Sequence, residues 1–409
     1  MKRIVSLLLV LVMVLSVAAC GGNTATTTTA APPATTAAPA TTAAAAETTA
    51  APTTAAPAQT TAAPDTTTAA PAASGFELAL ITDLGTIDDK SFNQGSWEGL
   101  VQYAMENNIT HKYYQPTEQS DDAYLATIDL AVKGGAKLVV TPGFLFEVPI
   151  YVAQERYPDV HFVLVDGAPH NEDYSDFTTG QNVVGINYAE EEAGFLAGYA
   201  AVKDGMTKLG FMGGMAVPAV VRFGYGYIQG VEYAAQELGL ADGSVSINYH
   251  YTGGFAATPE AQAMAASWYN NGFEVIFGCG GAVGNSVMAA AEQAGTKVIG
   301  VDIDQSGESS TVITSAMKGL KASVYSCVSA FYNGSFPGAQ VLVFDAETDG
   351  ISIPMETSKF DTFTQADYDA IYAKLVAKSI TLVKDLDASG NSVEPDSIPV
   401  KAVVLTVVS

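Results

Sequence analysis

Short apolar runs alternate with segments of helical periodicity along the chain from Phe76 onward. Residues 76–82 form a mainly apolar segment of strand length, and apolar positions from Trp97 to Met105 recur at the three- and four-residue spacing of one helix face. A second helix and strand are predicted where apolar positions with helical spacing end at two glycines and the apolar run at 137–141 follows. This alternation predicts βα units around a mostly parallel sheet.

A second series of such units follows a strand predicted at 183–187. It opens with a helix at 190–202 and a strand at 208–212, and two successive series of similar size predict two similar α/β domains. In open α/β sheets the ligand lies at the carboxyl ends of the strands. The loops expected at those ends are 83–93, 141–146, 166–168, 213–223, 279–285 and 302–305.

The first twenty residues have the pattern of an export signal. Lys2 and Arg3 precede an apolar run at 4–17, and two alanines then precede Cys20. The apolar run is shorter than the roughly 20 residues that a membrane-spanning helix needs. The sequence Val-Ala-Ala-Cys resembles a bacterial lipobox, which implies cleavage after residue 19 and lipidation of Cys20. An ordinary secretory signal with an incidental cysteine is the alternative.

Residues 23–74 are almost wholly Thr, Ala and Pro, with Glu47 and Asp65 as their only charges. Such a composition buries too little apolar surface to offset the entropy lost on ordering, so it predicts a disordered tether. The sequence thus predicts a signal peptide at 1–19, a lipidated cysteine and tether at 20–74, and a folded part from Gly75 onward.

The chain is strongly acidic, with 43 Asp and Glu against 18 Lys and Arg and a net charge of −25 at pH 7. This charge disfavours nucleic acid and other polyanions as partners. Besides Cys20 the chain has two cysteines, Cys279 and Cys327, which are too few for a disulfide framework. Both are expected to be buried small apolar side chains.

Four segments of the folded part carry a resemblance to a known family. Residues 82–94 are Thr-Asp-Leu-Gly-Thr-Ile-Asp-Asp-Lys-Ser-Phe-Asn-Gln, and residues 185–187 and 190–198 are Gly-Ile-Asn and Glu-Glu-Glu-Ala-Gly-Phe-Leu-Ala-Gly. The third segment is 208–215 with Pro218, Arg222, Phe223 and Gly226, and the fourth is 300–305 with Thr314, Ser315 and Lys318. In this order they resemble the motifs of the basic membrane protein family, the substrate-binding lipoproteins of ABC transporters typified by the purine nucleoside receptor.

The resemblance covers nearly all of residues 76–331 and implies a type I periplasmic-binding fold, an α/β architecture of two Rossmann-like lobes with a ligand cleft between them. On that pattern the first lobe takes 75–186 plus 311–339, the second takes 187–310 plus 340–409, and three segments cross between them. The resemblance also implies a purine nucleoside as ligand, an ABC permease and its ATPase as partners, no cofactor, and a monomer. Its place would be the extracytoplasmic face of the cell membrane, held there by the lipid anchor.

The resemblance further implies roles for residues in the predicted loops. Phe92 and Phe223, one from each lobe, are expected to stack on the two faces of the base, an interaction worth about 1 to 3 kcal/mol per base in nucleic-acid-binding proteins. Asn93 offers both a donor and an acceptor to the base edge. Asp302 can accept hydrogen bonds from both ribose hydroxyls, and Lys318 can donate to sugar oxygens while it balances that carboxylate.

Three further residues are secondary candidates for the ligand site. Asp83 and Asp166 follow predicted strands and can supply polar contacts. Gly281 permits close approach of the backbone to a ligand.

The residues of the predicted site also have structural interpretations. Phe92 and Phe223 lie near helix starts, where an aromatic side chain often belongs to the core. Asp302 can cap the turn that follows it, Lys318 can be a solvated helix lysine, and Gly281 can simply complete a tight turn.

Two loops that border the expected cleft depart from the family pattern. Residues 279–284, Cys-Gly-Gly-Ala-Val-Gly, replace an Ala-Gly-Gly type of loop, and residues 215–217, Met-Ala-Val, lack the acidic residue often found after Gly-Gly-Met. These differences leave open a ligand other than inosine, adenosine or guanosine.

No reactive constellation in the sequence indicates an enzyme. His111, His161, His170 and His250 are scattered without metal-ligand spacing, and the chain has no Gly-x-Ser-x-Gly elbow, P-loop or dinucleotide fingerprint after its first strand. The sequence therefore predicts a binding protein without a metal, which closes on its ligand and passes it to a permease. A ligand sensor for a membrane receptor and a sugar-binding protein of the same fold remain alternatives, because both use the same closure of two lobes.

Overall fold

The computed structural model describes residues 75–408. The predicted signal peptide at 1–19, Cys20 and the tether at 20–74 lie outside the described residues. In chain order the strands are β1 (Leu78–Ile81), β2 (His111–Tyr114), β3 (Leu138–Pro142), β4 (His161–Val165), β5 (Val183–Tyr188), β6 (Lys208–Gly213), β7 (Val245–Tyr251), β8 (Val275–Cys279), β9 (Lys297–Asp302), β10 (Val312–Lys318), β11 (Gln340–Phe344), β12 (Ile351–Ser352) and β13 (Val403–Val407). The α-helices are α1 (Phe92–Glu106), α2 (Asp121–Lys133), α3 (Glu147–Arg156), α4 (Glu190–Lys203), α5 (Pro218–Glu237), α6 (Pro259–Asn270), α7 (Val283–Ala294), α8 (Leu320–Asn333) and α9 (Gln365–Val376).

These strands form two sheets, and each sheet belongs to one lobe. The first sheet has the order β11-β5-β4-β3-β1-β2, and its pairings are parallel. The second has the order β12-β10-β9-β8-β6-β7-β13, and within residues 75–408 the short β12 is its antiparallel member. The strands β1, β3 and β8 are buried along their whole length, as expected for parallel strands whose two faces are covered by helices. The predicted two-lobed α/β architecture is confirmed.

The chain crosses between the lobes after β5, after β10 and after β11, and two of these crossings differ from the predicted boundaries at 311 and 340. Strand β10 continues the second sheet directly from β9, so the crossing follows it at Gly319. Strand β11 pairs with β5 and therefore belongs to the first sheet. The first lobe thus spans 75–188 plus 319–345, and the second spans 189–318 plus 346–408. The difference arises because strand pairing assigns β10 and β11 to their sheets, and local periodicity carries no information about pairing.

Helices α4 and α5 pack with their backbones in direct contact, through glycines. A Cβ atom on Gly194 would lie 2.0 Å from the carbonyl oxygen of Phe223, and one on Gly226 would lie 2.0 Å from the carbonyl oxygen of Glu191. Neither position has room for a side chain, so glycine is required there. This contact places the first turn of α4, with Glu190, beside Phe223 of α5.

Residues 379–400, between α9 and β13, form a C-terminal strap that runs across α4 and α5. Gln229 and Val383 exchange two hydrogen bonds, of 2.8 and 3.0 Å. The Tyr225 hydroxyl donates to the carbonyl oxygen of Val393 at 2.5 Å. Two ion pairs add further contacts between the strap and these helices.

In the described part of the chain, no helix is both long and apolar enough to span a bilayer.

Candidate functional site

A cleft of about 610 Å³ lies between the carboxyl ends of the two sheets. Its volume falls within the range of small-molecule sites. The residues that line it follow β1, β3 and β4 in the first lobe, and end or follow β6, β7, β8, β9 and β10 in the second. The cleft is lined by the eight residues predicted for the ligand site: Asp83, Phe92, Asn93, Asp166, Phe223, Gly281, Asp302 and Lys318.

Two of the non-glycine residues among these, Asp166 and Asp302, have left-handed backbones, with φ of 60° and 68°. Such a conformation is uncommon outside glycine and costs on the order of 1 to 3 kcal/mol, and it is concentrated at functional sites. Asp166 directly follows β4, and Asp302 is the last residue of β9, so each lobe contributes one. Burial raises the pKa of the Asp166 carboxyl to about 7 and also raises that of Asp302.

The Lys318 ammonium lies at the centre of three buried carboxylates. Its Nζ is 2.5 Å from Asp166, 3.2 Å from Glu190 and 3.9 Å from Asp302. Burial alone would lower the pKa of Lys318, but the three carboxylates raise it above its ordinary value. Lys318 therefore stays charged, and it is a buried residue at the end of β10, not a solvated helix lysine.

Glu190 is a member of this cluster that the sequence did not single out. It is the first residue of α4 and its side chain is almost wholly buried. The available signal was the run of three glutamates at 190–192, which opens a helix that is otherwise apolar. A buried carboxylate requires a charged partner, and here the partners are Lys318 and Arg222.

The two predicted stacking residues border the same part of the cleft. The Lys318 ammonium lies 5.0 Å from the ring centroid of Phe92 and 5.2 Å from that of Phe223. Phe223 is buried and packs edge-on against Phe277, with 6.0 Å between ring centroids. Phe92 is half-buried at the start of α1, so an apolar ligand face can cover it further.

The orientation of the Asn93 amide is set by two carboxylates. Its Nδ2 donates to Asp83 at 3.2 Å and to Asp89 at 3.0 Å. Its Oδ1 is buried and has no hydrogen-bond partner among the described residues. Asn93 was expected to offer a donor and an acceptor to a ligand, but the structure leaves only the acceptor available.

Hydrogen bonds cross between the lobes beside the cleft. Ser91 of the first lobe donates to Asp302 of the second at 2.5 Å. The Gln305 side chain donates to the carbonyl oxygen of Lys90 at 2.6 Å. The structure therefore has a closed arrangement of its lobes, in which these contacts are made.

The loop after β8 contains two glycines whose backbones have positive φ angles. Gly280 and Gly281 have φ of 147° and 53°. A Cβ atom on Gly280 would lie 2.8 Å from the backbone nitrogen of Gly214, so this position also has no room for a side chain. The adjacent Cys279 is buried in the wall of the cleft, and burial raises the pKa of its thiol well above the ordinary value.

Within residues 75–408, no group of three or more His, Cys, Asp or Glu side chains is arranged to hold a metal ion. The four histidines have individual packing or hydrogen-bond partners. His111 packs on Trp97, His161 on Phe331 and Phe336, His170 pairs with Glu147, and His250 contacts the carbonyl oxygen of Val408.

Comparison with known proteins agrees with this geometry. Residues 76–384 match the family model of PnrA-like ABC transporter substrate-binding proteins. The ABC transporter nucleoside-binding protein BmpA of Lactococcus lactis is 28% identical over 327 residues, which cover 74% of this chain and 88% of the relative. Basic membrane protein A of Borreliella burgdorferi is 27% identical over 309 residues, which cover 74% of this chain and 86% of the relative.

Solved structures show the fold. A solute-binding protein of an ABC transporter system from Aeropyrum pernix superposes with a TM-score of 0.67 at 22% identity, covering 77% of this chain and 95% of its own. A similar protein from Conexibacter woesei gives 0.60 at 23% identity, covering 76% and 99%. The fold is therefore the type I periplasmic-binding fold. With the family model matched over most of the chain, the protein belongs to the basic membrane protein family of PnrA-like ABC transporter substrate-binding proteins.

Proposed function

We propose that this protein captures a purine nucleoside between its two lobes and delivers it to an ABC permease. The observation that carries the proposal is the pair of aromatic rings, Phe92 and Phe223, that come from opposite lobes and border one region of the cleft. A flat base can contact both rings when the lobes close, and stacking of this kind does not depend on which base is present.

The polar groups of the cleft suit the sugar of a nucleoside. The Oδ1 atom of Asp166 is buried and unpartnered among the described residues, and Asp302 already accepts one hydrogen bond from Ser91. Ribose hydroxyls are donors that can satisfy both carboxylates. A ligand that supplies these donors offsets the cost of about 1 to 3 kcal/mol for a buried acceptor without a partner.

Closure of the lobes supplies the signal for delivery. Lys90, Ser91 and Phe92 lie in the first lobe, whereas Phe223, Asp302 and Gln305 lie in the second. A ligand held by both sets favours the closed state, and a permease can recognise that state. The same closure would serve a sensor, and co-purification with a permease and its ATPase would favour the transport role.

The protein is further proposed to be a monomer held on the extracytoplasmic face of the membrane by a lipid on Cys20. The substitution Cys20→Ala is expected to move the protein from the membrane fraction to the medium. Retention of the Cys20→Ala protein in the membrane fraction would argue against the lipid anchor.

The ligand is tested by calorimetric titration of the purified protein with nucleosides, free bases, nucleotides and common sugars. A purine nucleoside is expected to bind, and Phe92→Ala is expected to weaken it by about 1 to 3 kcal/mol, or roughly 5- to 150-fold. Tyr174→Ala is the matched control, because Tyr174 is an exposed aromatic residue outside the cleft. Binding of a sugar without any response to nucleosides would overturn the proposed ligand class.

A further inference from the structure

A continuous chain of ion pairs runs from the C-terminal strap to the centre of the cleft. Asp385 of the strap contacts Arg222 of α5, with Nε to Oδ1 at 2.7 Å and Nη2 to Oδ2 at 3.2 Å. The remaining nitrogen of Arg222, Nη1, lies 3.5 Å from Oε2 of Glu190. The other oxygen of Glu190 lies 3.2 Å from the Lys318 ammonium.

Glu190 is thus a buried carboxylate shared between two cations. The Lys318 ammonium lies 3.2 Å from one Glu190 oxygen, and the nearest nitrogen of Arg222 lies 3.5 Å from the other. A guanidinium can bind a carboxylate through two parallel hydrogen bonds, which an ammonium cannot match. Arg222 does not do so with Glu190, because two of its nitrogens are already engaged by Asp385.

We propose that Asp385 is a positioning residue for the ligand cleft, which holds Arg222 so that Glu190 stays with Lys318. This inference rests on the proposed nucleoside function. No residue of the strap lines the cleft, so Asp385 acts on the ligand through Arg222 and Glu190. Asp385 also lies one residue beyond the segment that matches the family model, which ends at residue 384.

The consequence of removing Asp385 follows from the partly buried charge of Arg222, whose side chain is 23% exposed. Without its bidentate partner, the guanidinium turns to Glu190 as the nearest carboxylate. Glu190 then withdraws from Lys318. The ammonium is left to Asp166 and Asp302, and it occupies the oxygens that the ribose hydroxyls need.

The test compares Asp385→Asn with Asp387→Asn as a matched control. Asp387 lies two residues further along the strap, is exposed, and accepts hydrogen bonds only within its own turn, from Ser389 and Asn391. Each protein is titrated with inosine and with 2′,3′-dideoxyinosine, which has the same base and lacks the sugar diol. The ratio of the two affinities reports on the sugar contacts and not on the base.

Asp385→Asn is expected to weaken inosine binding about tenfold and to leave dideoxyinosine binding within about twofold, because one charge-assisted contact with the diol is lost. Asp387→Asn is expected to change neither affinity, and Asp385→Glu is expected to restore most of the inosine affinity. An equal loss for both ligands, or the same loss in Asp387→Asn, would identify a merely structural role and overturn the inference.

A ligand-free crystal structure of Asp385→Asn decides the inference independently of any nucleoside. Two contacts from Arg222 to Glu190, with the Lys318 ammonium more than about 4 Å from Glu190, are expected. Unchanged positions of Arg222 and Glu190 would overturn the inference. Failure of the unaltered protein to bind any nucleoside would instead overturn the proposed function, and the crystal structure would still settle the role of Asp385.

Discussion

Ser91 of the first lobe donates a hydrogen bond of 2.5 Å to Asp302 of the second lobe, across 211 residues of sequence. The same Asp302 carboxylate lies 3.9 Å from the Lys318 ammonium and lines the cleft. One side chain thus takes part both in a contact between the lobes and in the charge cluster of the cleft. On the proposed function, this carboxylate would couple lobe closure to ligand recognition.

The substitution Ser91→Ala is expected to weaken ligand binding about tenfold, because a hydrogen bond to a charged group that exists only in the closed state is removed. Calorimetry measures the affinity, and small-angle scattering measures whether the ligand-bound protein becomes less compact. Ser335→Ala is the control, since Ser335 is exposed and its hydroxyl donates to the side chain of Asn333, two residues away. Equal affinities for Ser91→Ala and the unaltered protein would show that this bond does not contribute to closure.

The Asn93 amide is expected to select bases by hydrogen-bond polarity. Both of its donor hydrogens face Asp83 and Asp89, so the ligand meets only the Oδ1 acceptor. Inosine, which has an N–H at its base edge, should bind at least about tenfold more tightly than purine riboside, which lacks this donor, because the latter leaves the acceptor unpaired. Calorimetric titration with both nucleosides checks this. Equal affinities would mean that the base does not reach Asn93.

A phosphate on the ligand is expected to be rejected. The charged residues that line the cleft are Asp83, Asp88, Asp89, Asp166 and Asp302 against Lys318 alone, and Lys318 is already paired with carboxylates. A nucleoside 5′-monophosphate would bring further negative charge into this acidic site, where charges interact strongly. Its affinity should be at least about 100-fold below that of the parent nucleoside, roughly 2.7 kcal/mol. Comparable affinities for the nucleoside and its 5′-monophosphate would contradict the prediction that this acidic cleft rejects a phosphate.

The stability of the ligand-free protein is expected to depend on pH through Asp166. Burial raises the pKa of this carboxyl to about 7, and Lys318, Glu190 and Asp302 are the charged groups around it. The folded protein therefore binds this proton more tightly than the unfolded chain, in which the pKa is about 4. The stabilising contribution is complete below about pH 4 and is lost as the pH rises to about 7.

The measurement is urea unfolding at several pH values between 4.5 and 8. The difference in unfolding free energy between the unaltered protein and Asp166→Asn should fall with rising pH, by at most about 1.4 kcal/mol per pH unit. Asp173→Asn is the control, because hydrogen bonds from Ser175 lower the pKa of Asp173 and its proton is lost below this range. Parallel pH profiles for the unaltered protein and Asp166→Asn would contradict the prediction.

The contact between α4 and α5 is expected to tolerate no side chain at Gly226. A Cβ atom there would lie 2.0 Å from the carbonyl oxygen of Glu191, so Gly226→Ala must push the helices apart. The expected loss of stability is about 1 to 3 kcal/mol, measured by denaturant unfolding. Gly307→Ala is the control, because a Cβ atom on Gly307 has no neighbour within 4 Å. A Gly226→Ala protein as stable as the control would show that the helices are not in close contact.

Much of the fold and the cleft could be predicted from the sequence. The alternation of apolar runs with helical periodicity predicts parallel α/β units, because a buried strand and an amphipathic helix each leave a local pattern. The eight predicted site residues line one cleft, because residues such as Asp83, Asp166 and Asp302 follow or end strands whose carboxyl ends meet at one edge of each sheet.

The tertiary structure alone decided the partners of these residues. The membership of β10 and β11 in their sheets depends on pairing between strands that are distant in sequence, which periodicity does not encode. Two carboxylates accept the hydrogen bonds of the Asn93 amide nitrogen, so these donors are not available to a ligand. The link from Asp385 through Arg222 to Glu190 joins segments that are distant in sequence. A residue type limits what a side chain can bind, but the neighbours that folding brings to it determine which of its atoms remain available for a ligand.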